Sequence, residues 1–140
     1  MEWKIKILVT AIYCISSLPV FSQREKPIVT IDFVKIKDGK TAEAMFFYEN
    51  NWKVFRLEAL KKGFIKSFKM MSSETDTLGG FNIILLTEYK DSLQYNSREQ
   101  NFWLIMKQNS PNGPKLLNGL KPRDFTTIVF SKNAVLEYGN

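Results

Sequence analysis

Residues 28–37 read IVTIDFVKIK, and the architecture turns on that run. β-Branched residues dominate it, and the alternation sets Val29, Ile31 and Phe33 on one face and Thr30, Asp32, Val34 and Ile36 on the other. A strand with apolar residues on both faces belongs in the middle of a sheet, covered from each side. The run 81–89, FNIILLTEY, is the most apolar strand candidate of the chain and shares this two-sided character. The first and third strands are therefore expected to be central.

Working outward, Asp38-Gly39 turns the chain, and Thr41 is placed to cap a helix running to Lys62, where two lysines and then Gly63 mark the stop. On this helix Met45, Tyr48, Trp52, Phe55 and Ala59 recur at spacings of three and four, a stripe that should pack on a sheet. Phe46, Phe47, Val54 and Leu57 form a second apolar group on the other side, which calls for cover by a second helix or a partner subunit. Residues 64–72 continue as strand two, 73–80 form a polar turn, and 81–89 form strand three. Ser97 and Gln100 read as a capping box opening a second helix to about Gln108, which carries Phe102, Trp103, Ile105 and Met106. After a loop rich in Pro, Gly and Asn, residues 125–132 (FTTIVFSK) make strand four. The order β-α-β-β-α-β is the split βαβ pattern of the α+β ferredoxin-like fold, with one four-stranded antiparallel sheet in a single domain spanning 23–140.

The first 22 residues read differently. Lys4 and Lys6 give a positive start, an apolar run reaches Tyr13 with Thr10 inside it, and Ser16-Ser17-Leu18-Pro19 breaks it before Val20-Phe21-Ser22. That is the pattern of a cleavable signal peptide, with Val20 and Ser22 at the minus-three and minus-one positions and Gln23 as the first mature residue. The apolar run is shorter than the roughly 20 residues that span a bilayer, so no stable membrane insertion is expected after cleavage. Cys14 lies inside the run behind Tyr13, which is not the setting of an acylated lipoprotein cysteine. The expected location is periplasmic or extracellular.

Of the 140 residues, 44% are hydrophobic and 11 are Phe, enough apolar surface for a packed core. The net charge of +6 falls to +5 once Glu2, Lys4 and Lys6 leave, and the basic residues are scattered, so no nucleic-acid partner is expected. Lys62-Gly63-Phe64 has the look of an RNA-binding strand motif, but Lys66 and Lys69 stand where that motif wants aromatics. Histidine is absent and the single cysteine leaves with the leader. Histidine- and cysteine-based nucleophile systems, His-ligated haem, ordinary zinc sites and disulfides are excluded together. Glu74 and Asp76 lack the spacing of a calcium loop, so neither a metal nor a cofactor is expected.

The segments IDFVKIKDGKTAEA, ENNWK with Trp52, GFIKSFKMM after Gly63 and FNIILLTEYKD resemble the dimeric α/β-barrel proteins, which include the antibiotic-biosynthesis-monooxygenase-like domains and secreted bacterial relatives of unknown role. The resemblance covers about residues 28–132. It implies a homodimer in which two four-stranded sheets face each other, each chain keeping a pocket between sheet and helices. Some members oxidise polycyclic substrates without a cofactor and others bind haem through histidine, a pattern from which this chain departs.

Asp32 is the candidate catalytic residue, because a carboxylate in mid-strand among Ile, Val and Phe can serve as a base; the competing reading pairs it with a lysine such as Lys66 or leaves it wet. Tyr48, Trp52, Phe55 and Trp103 are candidate walls of an apolar pocket, with Asn82, Glu88 and Thr127 as polar contacts; the competing reading makes the aromatics plain core. The expected function is an exported homodimer binding a small apolar ligand between sheet and helices. The alternatives are a cofactor-independent oxygenase or isomerase-like enzyme with Asp32 as base, and a structural or interaction protein without a ligand.

Overall fold

The computed structural model describes residues 25–74 and 80–138; the leader, Cys14 and Asp76 lie outside them. Strand β1 (Ile28–Ile36) leads through a turn at Gly39 (φ 70°) into a helical run of three joined pieces: α1 (Thr41–Phe47), a π-helical turn Tyr48–Trp52, and α2 (Lys53–Lys61). Strands β2 (Ser67–Ser72) and β3 (Ile83–Tyr89) follow, then α3 (Ser92–Asn96), α4 (Arg98–Asn109), the short α5 (Pro122–Phe125) and β4 (Thr126–Val135). The strands form one antiparallel sheet in the order β2-β3-β1-β4, the ferredoxin-like fold. The two-sided strands β1 and β3 occupy its centre, as their sequences require.

The helix-facing side of the sheet divides along its length. Toward one end, Val34, Ile36, Ile83 and Leu85 bury against Ala44, Tyr48 and Phe125. Toward the other, Tyr89 joins Ala59, Ile65 and Ile105, with Phe55, Phe64, Phe68 and Phe102 packed around them. Between these clusters the central rungs turn polar: Asp32 pairs with Ser131, and Thr30 pairs with both Asn133 and Thr87. A sheet that is apolar at both ends and polar between them sets up a cleft where the helices cross it.

Several local details differ from expectation. Thr41 is not the cap: Lys40 holds that position without a side-chain bond, and Thr41 is already helical. The second helical run opens earlier than Ser97, because the Asp91 carboxylate accepts from the Gln94 N–H (2.8 Å) and the Gln94 side-chain oxygen accepts from the Lys90 N–H (2.7 Å). Ser97 instead sits at the joint of α3 and α4, its hydroxyl donating to the Leu93 carbonyl at 2.9 Å. Phe125 is not a strand residue but the last residue of α5, fully inserted in the core. Of the second apolar group on the first helix, Phe47 is used internally, its ring 5.7 Å from that of Phe125, while Val54 and Leu57 stay exposed.

The π-helical turn has a structural consequence. It carries Asn51, which is fully buried and clasps the loop before α5: its amide nitrogen donates to the Lys115 carbonyl (2.8 Å) and its oxygen accepts from the Lys115 N–H (2.7 Å). An extra residue in one turn re-aims the following side chains, so that Trp52, Phe55 and Ala59 all return to the sheet.

Candidate functional site

The cleft over the polar rungs has a volume of about 470 Å³. Its floor is Thr30 and Asp32 of β1 with Ser131 and Asn133 of β4; its walls are Phe55 and Arg56 of α2, Tyr89 of β3, Tyr95 of α3, and Phe102 and Arg98 of α4. The Asp32 carboxylate accepts the Ser131 hydroxyl at 2.6 Å and makes no ion pair within 4.0 Å among the described residues. Lys66, the expected lysine partner, is instead bound to Glu88 at 2.7 Å on the opposite face.

Arg56 is the residue that spacing did not single out. It follows Phe55 in the helix and reads as a solvated charge, yet it is turned inward, its guanidinium carbon 4.0 Å from the centre of the Phe102 ring and 5.0 Å from that of Trp52. Its Nε donates to the Thr87 hydroxyl at 3.0 Å. Burial pulls its pKa down to about 10, against the pull of Tyr89 and Asp32, so it remains a cation at neutral pH. A threonine on a central rung facing an arginine four helical turns into the chain is the one sequence signal that could have located it. At the mouth, the Arg98 guanidinium lies 4.1 Å from the Tyr95 ring centre, donates to the Tyr95 carbonyl (3.1 Å) and stands 3.5 Å from Glu99.

The expected site residues separate. Asp32 and Phe55 line this cleft. Tyr48 and Trp52 line a second one of about 350 Å³, with Met45, Phe68 and Met70, between α1 and the edge strand β2. Burial raises the Tyr48 pKa to about 12, opposed by its hydrogen bond with Thr126, which keeps the phenol neutral. Asn82, Glu88, Trp103 and Thr127 line neither cleft. Strand parity explains two of them: Glu88 pairs with Val29 and Thr127 with Lys35, both on the face away from the helices. Asn82 ties the start of β3 to β1, its side-chain oxygen accepting from the Ile36 N–H at 2.8 Å. Trp103 is 52% exposed, with the Lys107 ammonium 4.9 Å from its ring centre.

Glu88 supports a pH prediction. Burial raises its pKa, but bonds from Lys66 and Ser67 outweigh burial and hold it below its ordinary 4.5. A depressed folded value stabilises the fold above 4.5 and loses that contribution as pH falls through the folded value. Glu88→Gln should therefore flatten the acid limb of a plot of unfolding temperature against pH, with an effect within about 1 kcal/mol because Lys66 is exposed.

The class defined by these elements is the ferredoxin-like α+β fold with a polar, charged cleft between sheet and helices. No protein-family model and no curated protein matches the chain. Among solved structures it is similar to HapK from Hahella chejuensis, with a TM-score of 0.50 at 11% identity over 81% of this chain and 96% of that one. It is also similar to "Putative Chlorite dismutase TA0507", with a TM-score of 0.47 at 9% identity, and spans 44% of that chain. At such identities the likeness is one of fold.

Proposed function

We propose that the chain is an exported, homodimeric small-molecule-binding protein of the dimeric α/β-barrel kind, with its ligand in the cleft above Asp32. The observation that carries the reading is a cleft of about 470 Å³ with aromatic walls, lined by Arg98, Glu99 and Lys132 and by the opposite charges Asp32 and Arg56, which form no ion pair with each other. The volume falls in the usual range for small-molecule sites, and convergent polar groups among apolar walls are their usual composition. The lining moves the expected ligand from purely apolar to one with a polar end.

The dimer rests on the other face of the sheet, where Ile31, Phe33, Ile84 and Leu86 form an apolar surface bordered by exposed Phe130 and Met71. A second copy applied to that face leaves both clefts open. The wholly structural reading loses support, because Trp52 has a cleft beside it.

An enzyme with Asp32 as general base is the second reading, and the absence of an ion pair to Asp32 among the described residues favours it. The two separate with Asp32→Asn, which abolishes turnover in an enzyme and in a binding protein only weakens a ligand whose polar end reaches Asp32. The shared premise is tested by amide NMR of the 15N-labelled protein against a library of small aromatic compounds. Binders should shift Thr30, Asp32, Tyr95 and Phe102 and spare Asn82 and Glu88; shifts that never include the cleft would sink the proposal.

A further inference from the structure

Arg56 and Asp32 specify more than a cavity, and what they specify rests on the reading of the cleft as a ligand site. Flanked by the rings of Phe102 and Trp52, the Arg56 guanidinium is half-buried in the cleft wall. Only its Nε is used; the two terminal amino groups have no partner among the described residues. Donors left open on a half-buried cation beside aromatic rings suit an anionic partner, and the parallel N–H groups of a guanidinium match the two oxygens of a carboxylate. In the cleft floor, Asp32 uses one oxygen on Ser131, and the other has no hydrogen-bond donor among the described residues.

We infer that the ligand is a small aromatic carboxylic acid bearing a hydroxyl or amine. Its carboxylate takes the terminal N–H groups of Arg56, its ring lies among Phe55, Tyr89 and Phe102, and its hydroxyl or amine donates to Asp32. Other classes fit less well. A purely apolar molecule leaves both charges covered and unpaired, and a phosphate dianion brings a second negative charge toward Asp32. Arg98 and Lys132 also line the cleft and outnumber its one further carboxylate, Glu99, which leaves the cleft positive toward an anion.

Calorimetry on the exported protein tests this with para-hydroxybenzoate, para-hydroxyphenylacetate and anthranilate, each beside its methyl ester. At least one acid is expected to bind about tenfold more tightly than its ester, the worth of a charge-assisted bond. Arg56→Gln should erase that preference with the circular dichroism spectrum unchanged, and Arg56→Lys should keep part of it. Equal binding of acids and esters, or a preference that survives Arg56→Gln, overturns the carboxylate assignment and leaves the cleft as a ligand site. Binding by neither set overturns the assignment and counts against the cleft reading as well.

Discussion

Phe125→Ala lowers the unfolding temperature by about 15 °C. Phe125 is 1% exposed and packs with Val34, Ile36, Ala44, Tyr48, Ile83 and Leu85, the cluster that fixes the first helical run to the central strands. Its ring also meets Phe47, and its carbonyl accepts from the Lys37 N–H at 2.9 Å. Truncating a fully enclosed Phe removes its transfer free energy and leaves a cavity, about 3–5 kcal/mol together. In a domain of this size each kcal/mol is worth about 4 °C. Trp103→Ala is the control, because the larger but half-exposed indole should cost within about 1 kcal/mol. Differential scanning calorimetry of the two variants decides it; equal losses would mean that the core is not where these contacts place it.

The second large effect concerns assembly. Leu86 lies at the middle of the sheet face away from the helices, between Ile31 on β1 and Lys69 on β2. Leu86→Asp sets a carboxylate beside the Lys69 ladder position, so a single subunit tolerates it through a cross-strand pair. In the proposed dimer the same carboxylate is pressed between two sheets and desolvated, at about 2 kcal/mol or more in each copy. Two copies raise the dimer dissociation constant by about a thousandfold. Light scattering coupled to gel filtration should show the protein passing from dimer to monomer with its circular dichroism kept. A dimer that persists at the same concentration would place the interface elsewhere.

The fold was legible because its signals are local and repeated. IVTIDFVKIK and FNIILLTEY carry their two-faced burial in their own alternation, and that alone sets them at the sheet centre. Boundaries were less legible where tertiary contacts override local signals. Phe125 continues the strand pattern of FTTIVFSK, but Pro122 starts a helical turn that drives its ring into the core. Ser97 and Gln100 match a capping box, yet Asp91 and Gln94, one turn earlier, carry out the capping.

The site was half legible. Asp32 was marked by a charge amid apolar neighbours, and Phe55 by its helical spacing, and both line the cleft. Glu88 and Thr127 were misplaced because apolar residues occupy both faces of the central strands, so polarity alone does not say which side meets the helices. Arg56 was missed because a helix arginine is ordinarily solvated; only the meeting of α2 with Phe102 on α4 and Thr87 on β3 turns it inward as a half-buried cation. Long-range contact of that kind is invisible to spacing along one element.

Native mass spectrometry of the protein purified from the envelope of the cells that make it bears on export, assembly and ligand at once. The expected species is a dimer of subunits beginning at Gln23, each carrying one small molecule that departs on collisional heating. A ligand-free species under the gentlest conditions, its mass unchanged after incubation with an extract of the same cells, would contradict it.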